Sequence, residues 1–228
     1  MTSFTHCEYA RGDLPPAARD ELLVLARTMS AADLDEAALL ARIARYQEAH
    51  LGYEHGALVA AMLVDRVPTA HGTLVYLGPA FSRGGAYVRL FGALVTRALA
   101  TEGAFAFAME VENASVAHTL AEILPGQSYP RACETPAPVT ACAAAMLACV
   151  DHVHDFDARS MTSAIDCPMR RGAFPARYRV FFVPCDGTLP ERETLARDLG
   201  RGLARHAARV ARVKERRALR ASTSARAA

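Results

Sequence analysis

Segments with helical spacing alternate with short apolar runs along most of the chain, and this alternation is the feature that most restricts the fold. Apolar residues recur every three or four positions in the helical segments, while the runs between them are short and β-like. Such an order predicts an α+β (mixed α/β) protein in which a sheet is flanked by helices. After a first extended stretch, the predicted elements are helices over 15–30 and 33–49, strands over 50–66 and 72–81, a helix over 86–102, a strand over 104–112, helices over 113–124 and 139–150, and strands near 149–157 and 177–184.

Composition indicates a globular protein with a core of its own. The chain has 228 residues, of which 52% are hydrophobic, so it is long enough to bury a core. Charged residues interrupt its apolar runs well before the roughly 18 residues that a bilayer requires, and residues 1–13 lack the apolar stretch of a signal peptide. Six cysteines are scattered without a C-x-x-C pair. We therefore expect a cytoplasmic protein with reduced thiols, no membrane span and no zinc site.

The stretch LVYLGPAFSRGGAYVRLFGALVTRAL, over 74–99, joins a strand pattern to a helix pattern through Arg83, Gly84 and Gly85. Two interpretations of this junction remain open. The three residues form a tight turn in the first. In the second, the backbone N–H groups at the helix start hold an anion, and the glycines allow the ligand to come close.

The order of the elements, together with the LGP break at 77–79, the glycine loop and the EN sequence that ends the strand over 104–112, resembles the GNAT superfamily of N-acyltransferases. The resemblance covers residues 5 to 130 well and the remainder loosely. It implies a central mixed, largely antiparallel twisted sheet, in which the strand over 72–81 splays from its neighbour. It also implies acetyl-CoA or another acyl-CoA as the acyl donor, with its pyrophosphate on the glycine loop. The cofactor-binding candidates are then Phe81, Arg83, Gly84, Gly85, Ala86, Tyr87 and Asn113.

Acyl transfer to an amine needs a base for the amine proton and an acid for the departing thiolate. Many members of the family use a tyrosine as the acid where this chain has Leu120. Glu110 and Glu112 share one face at the end of a strand, and His118 lies on the next helix. We take Glu110 and His118 as the catalytic candidates, with a solvated strand end as the alternative for the glutamates and a surface or satisfied core residue as the alternative for the histidine.

Two further motifs bear on the acceptor and on metals. Tyr53 and Glu54 lie on the strand that often borders the acceptor pocket in the GNAT superfamily, and we take them as substrate-binding candidates, with a simple β-turn as the alternative. The DHVHDFD motif over 151–157 suggests metal ligands, but strand alternation would divide its histidines and aspartates between two faces. We therefore expect no metal.

The C-terminal segment over 191–220 predicts a basic amphipathic helix that follows a GNAT-like domain over 1–190 and precedes a disordered tail over 221–228. From Arg197 onward there are ten Lys or Arg and two Asp or Glu, whereas the whole chain carries only +2, so the body is acidic. The basic face is either simply solvated or meets an acidic carrier protein or a second copy of the chain in a homodimer. Nucleic acid is the weakest alternative, because no aromatic residues accompany the arginines.

These observations favour an acyltransferase that moves an acetyl or longer acyl group from a CoA-type or carrier-bound thioester to an amine, on a small molecule or a carrier-bound substrate. A second interpretation is a non-catalytic GNAT-like protein that binds a ligand or another protein. A third is a regulatory protein that acts through its basic helix. Binding of a CoA thioester would distinguish the first from the third, and turnover the first from the second.

Overall fold

The computed structural model describes residues 4–30, 34–111, 114–130, 134–151, 153–165 and 177–227. Within these ranges, helices and strands follow one another largely as the apolar spacing predicts. The strands are β1 (Phe4–Ala10), β2 (Glu48–Glu54), β3 (Ala57–Thr69), β4 (Gly72–Ser82), β5 (Phe105–Val111), β6 (Val153–Asp157), β7 (Thr162–Ile165) and β8 (Tyr178–Cys185). The helices are α1 (Pro16–Ser30), α2 (Glu36–Arg45), α3 (Tyr87–Thr101), α4 (Ala114–Ile123), α5 (Ala137–Leu147) and α6 (Leu189–Ala227).

All eight strands belong to one sheet, in the order β1-β2-β3-β4-β5-β8-β7-β6. The pair β4 and β5 is parallel, and every other neighbouring pair is antiparallel. Strands β4 and β5 are parallel because α3 crosses over between them and returns the chain to the same edge. The mixed, largely antiparallel sheet flanked by helices is therefore confirmed.

The segment over 50–66 is a hairpin of two longer strands. Its turn lies at His55 and Gly56, which both have positive φ (50° and 77°), as a two-residue type I′ hairpin loop requires. The YEHG sequence thus contains a turn, as one of the two interpretations expected. Strand β7 was not predicted, because its four residues are too few for a periodic pattern to be visible.

Helices cover both faces of the sheet. One face carries α3, α4 and α6, which pack on alternate side chains of the central strands such as Val75 and Phe107. The other carries α1 and α2 over the β1 to β4 half. It also carries α5 over Tyr76 and Phe182. The first turn of α2 is stabilised by Asp35, whose carboxylate accepts a hydrogen bond from the N–H of Ala38 at 3.1 Å.

Helix α6 is part of the packed protein over its first half. Leu195 and Leu199 are buried against α3 and α4, and each such leucine contributes about 1.5–3 kcal/mol when fully buried. Gly202 allows the close approach, since a Cβ at this position would lie 2.1 Å from the carbonyl oxygen of Ile123. The helix continues to Ala227, past the end predicted at 220. Among the described residues, no helix combines the length and the apolar character that crossing a membrane requires.

Candidate functional site

Strands β4 and β5 pair at one end and separate at the other. Their pairing runs from Thr73 with Phe105 to Leu77 with Met109 and stops there, although β4 continues to Ser82. Beyond this point β4 pairs only with β3, and β5 only with β8, within the described ranges. The splayed strand implied by the resemblance is therefore present, and it opens a gap in the middle of the sheet.

The gap begins at the LGP sequence. Here the register between β3 and β4 shifts between Met62 and Val64, because Gly78 and Pro79 together face one residue of β3. Such a bulge bends the strand, and proline is tolerated there because it has no N–H to donate. Gly78 is also in contact with Tyr46: a Cβ on this glycine would lie 2.3 Å from the tyrosine ring.

A cavity of about 520 Å³ occupies the gap, which is a volume typical of small-molecule sites. At one end it is lined by the glycine loop before α3, on the face of the sheet that carries α3, α4 and α6. At the other end lie Tyr76 and Glu110, towards α2 and α5. The cavity therefore connects the two faces of the sheet. Its lining includes Tyr46, Phe81, Gly84, Gly85, Tyr87, Glu110, Thr119 and His206.

The glycine loop presents backbone donors to the cavity. Gly84 and Gly85 have φ of 60° and 78°, which glycine adopts without strain. The loop N–H of Ala86 is bonded to the carbonyl of Arg83. Within the described part of the chain, the N–H groups of Gly84, Gly85 and Tyr87 have no acceptor. These donors lie at the start of α3, where the helix dipole favours a negative charge.

The other predicted cofactor-binding residues differ in how they relate to the cavity. Phe81 and Tyr87 line it, whereas Ala86 is buried at the N-cap of α3. Arg83 is exposed, and its guanidinium donates to the hydroxyl of Thr28 at the end of α1, 3.3 Å away. Asn113, and with it the neighbouring Glu112, lies outside the described residues.

Glu110 lies at the opposite end of the cavity with two hydroxyl partners. Tyr76 donates a hydrogen bond of 2.8 Å to Oε2, and Ser163 donates to Oε1. Burial and the charge of Glu110 raise the pKa of Tyr76 well above its usual value, so the phenol stays protonated and keeps donating. The two hydroxyl groups thereby hold the carboxylate in one orientation.

Tyr46 is a residue of this site that the sequence did not reveal. It falls within the helix that the sequence predicts over 33–49, but it follows the last residue of α2, is 2% exposed, and lines the cavity beside Gly78. Burial raises the pKa of its phenol, so the hydroxyl keeps its proton at neutral pH. Leu120 of α4, by contrast, is buried in the hydrophobic core.

Three predicted site residues lie away from the cavity. His118 is an exposed residue of α4, and its Nε2 is 3.2 Å from Oε1 of Glu122. The hydroxyl of Tyr53 donates to Glu21 at 3.0 Å, and burial followed by this carboxylate raises the pKa of the phenol. Glu54 forms an ion pair with Arg89 of α3. The structure thus brings Glu110 and the glycine loop to one cavity, but not these three residues.

His206 of α6 is the second unpredicted residue of the cavity. Its Nε2 is 3.4 Å from the position that a Cβ on Gly85 would occupy, so the imidazole faces the glycine loop. Its Nδ1 lies 3.5 Å from a guanidinium nitrogen of Arg209. Burial and the charge of Arg209 lower the pKa of the imidazole.

One group among the described residues has the composition of a metal site, on the α3 face at the β1–β2 edge of the sheet. The ligand atoms of Glu8, Glu48 and His50 lie within 4.8 Å of one another. Both carboxylates already have cationic partners, since Arg97 pairs with Glu8 and Arg66 with Glu48. A metal would have to displace these guanidinium groups, and the expectation that the protein uses no metal stays a prediction.

No protein-family model matches the chain, and no curated protein is similar to it in sequence. Several solved structures resemble it at low identity and low TM-score. The ribosomal-protein-S18-alanine N-acetyltransferase from Escherichia coli is 12% identical over 79% of this chain and 94% of its own, with a TM-score of 0.44. A probable acetyltransferase from Staphylococcus epidermidis is 10% identical over 79% of this chain and 99% of its own, with a TM-score of 0.44.

A third structure was solved with CoA. The aminoglycoside N-acetyltransferase AAC(6')-Iy in complex with CoA is 11% identical, over 60% of this chain and 95% of its own, with a TM-score of 0.42. At these identities and TM-scores the likeness carries no argument about this chain. The chemistry of the site has to be argued from the cavity between β4 and β5.

Proposed function

We propose that this chain, whose fold is GNAT-like, transfers an acyl group from a CoA-type thioester to an amine. The observation that carries the proposal is the cavity between β4 and β5, which has backbone donors at one end and a carboxylate at the other. An acyl donor with an anionic end and a reactive thioester end matches both ends of such a cavity.

The backbone of this chain supplies the groups that would hold the donor. In the part of the chain that the structure describes, β4 has no strand partner on its β5 side beyond Leu77, so its peptide groups there can pair with an arm that carries amides of its own. The N–H groups of Gly84, Gly85 and Tyr87, which have no acceptor among the described residues, suit a diphosphate at the start of α3. The donor, when bound, supplies an acyl carbon that is already activated as a thioester.

Glu110 is the group that would take the proton from the amine. It lines the cavity, and the hydroxyls of Tyr76 and Ser163 fix the position of its carboxylate. A positioned general base contributes typically about 10²- to 10⁴-fold to a rate. The loss of turnover on removing this carboxylate should fall in that range.

Tyr46 is the group that would donate a proton to the departing thiolate. Its hydroxyl end lies beside Gly78, at the point where β4 and β5 separate, and it lines the same cavity as Glu110. This assignment gives the site an acid although the position that holds a tyrosine in many GNAT enzymes is the buried Leu120.

The test is turnover of acetyl-CoA with a panel of small amines and peptide amines, in which the release of free thiol is measured. Glu110→Gln should lower kcat about 10²-fold or more and leave the Kd for CoA within a few-fold. His118→Ala is the matched control, because His118 lies outside the cavity, and its kcat should be unchanged. Equal kcat in wild type and Glu110→Gln would contradict the assignment of the base.

The non-catalytic alternative makes a different prediction for the same measurements. A protein that only binds would take up CoA and release no thiol with any amine, and Glu110→Gln would then have nothing to lower. The regulatory interpretation stays a prediction, because Leu195 and Leu199 of α6 are packed on α3 and α4 while the side chains of Arg201, Arg205 and Arg212 are exposed.

A further inference from the structure

A second cavity, also of about 520 Å³, lies between the end of α4 and the middle of α6. Three arginines of α6 line it: Arg205, Arg209 and Arg212. The carboxylate in its lining is Glu122, so the basic side chains outnumber the acidic ones three to one. We refer to this space as the basic cavity.

The contacts of these side chains leave a net positive charge in the basic cavity. Glu122 is 2.5 Å from Nη1 of Arg209, and its backbone carbonyl accepts a hydrogen bond from Arg205 at 3.1 Å. Arg212 is exposed and bonds only to a carbonyl of its own helix, at Ala208, and it pairs with no carboxylate in the part of the chain that the structure describes. Hence one charge is neutralised, and two guanidinium groups remain for an anion.

His206 connects the basic cavity to the cavity between β4 and β5, because it lines both. Its Nε2 faces Gly85 of the glycine loop, and its Nδ1 faces Arg209. A ligand whose diphosphate lies on the glycine loop would therefore extend past this imidazole towards the arginines.

We propose that the basic cavity is the subsite for the phosphorylated nucleoside end of the acyl donor, with Arg205 and Arg212 as its charged ligands and His206 at its entrance. The inference rests on the proposed function, since it needs a donor held by the glycine loop. It identifies the donor class: free CoA carries a second phosphate on its ribose, beyond the diphosphate, and a pantetheine arm attached to a carrier protein does not. Charge-assisted hydrogen bonds to such a phosphate are the kind that guanidinium groups make best.

The packing of α6 supports a fixed subsite in place of a loose basic tail. The contacts of Gly202 with Ile123 and of Leu203 with Gly92 fix the helix immediately before His206. The arginines that the sequence suggested for an acidic carrier are therefore placed next to the donor end of the site.

The experiment compares the binding of CoA and dephospho-CoA, which lacks only the ribose phosphate, to the full chain by calorimetry. Wild type should bind CoA about tenfold more tightly than dephospho-CoA, and the difference should shrink at high salt. Arg212→Gln should remove most of this difference, while Arg201→Gln, an exposed arginine of the same helix that does not line the basic cavity, should preserve it. Both variants lie on the surface, and their melting temperatures will establish that they are folded.

The outcomes separate the two proposals. Equal affinity of wild type for CoA and dephospho-CoA would overturn the subsite and leave the proposed acyl transfer intact. Tighter binding of an acyl carrier protein than of CoA would also overturn it, because the donor class would be wrong. If neither nucleotide binds, the proposed function fails, and the subsite fails with it.

Discussion

Replacing Gly85 by aspartate tests whether the glycine loop holds an anion. Gly85 has a φ of 78°, and a Cβ there would point towards Nε2 of His206 at 3.4 Å. The new carboxylate would thus lie in the cavity beside the N–H groups of the loop. This backbone conformation destabilises any residue with a Cβ by about 1–2 kcal/mol, and the effect is nearly the same for Gly85→Asn and Gly85→Asp. Asparagine is therefore the matched neutral control.

The expected difference between the two variants is electrostatic. A carboxylate about 5 Å from a bound phosphate, at an effective dielectric constant of about 20, repels it by about 3 kcal/mol. This free energy corresponds to a loss of more than about a hundredfold in affinity for CoA. The carboxylate would also attract His206, which removes a neighbour of the anion and acts in the same direction.

Calorimetry with CoA on both purified variants measures the effect, and thermal melts establish that both are folded. We expect Gly85→Asn to bind CoA within about tenfold of wild type, and Gly85→Asp to show no measurable binding. Equal affinity of the aspartate and asparagine variants would refute the argument, since a negative charge at this loop would then be harmless to the ligand.

Two further predictions concern stability. Gly202→Ala should destabilise the protein by about 1–3 kcal/mol, because its Cβ would lie 2.1 Å from the carbonyl oxygen of Ile123. Gly200→Ala has open space around its Cβ and should be neutral or stabilising by up to about 1 kcal/mol. Chemical denaturation measures both effects. Burial, His50 and Arg97 lower the pKa of His6, so between this lowered value and about 6.5 the unfolded chain binds more protons than the folded one. The free energy of unfolding of wild type should fall as the pH drops below about 6.5, and that of His6→Gln should fall less. Identical pH profiles of the two proteins would show that His6 does not contribute.

Local signals in the sequence were sufficient for the architecture around the loop. The LGP break and the glycines at 84 and 85 report on backbone conformation, which depends on the residues themselves, and the structure has a bulge and two positive φ angles there. The elements around this junction follow from hydrophobic period in the same way. Glu110 was identifiable because it closes a strand with period-two alternation.

The remaining parts of the site depend on contacts between residues far apart in the chain. Ser163, the partner of Glu110, is 53 positions away on a four-residue strand that has no periodic signature. Tyr46 looks like any other member of an apolar stripe until the bulge at Gly78 brings β4 to it. His206 was hidden in a helix whose dominant pattern is its arginines, and only the packing of α6 on α4 turns one side of that helix towards the loop.

The separation of β4 from β5 divides β4 into two kinds of backbone with respect to amide hydrogen exchange. Between Thr73 and Leu77 the strand is hydrogen-bonded to a neighbour on both sides, so its amides open only when the middle of the sheet comes apart. Between Ala80 and Ser82 its strand partner among the described residues is β3 alone, and separation of one ladder is enough. Slow and fast exchange should therefore meet within a single strand, at the bulge, and a ligand that occupies the gap should slow exchange in the second half of the strand without changing the first.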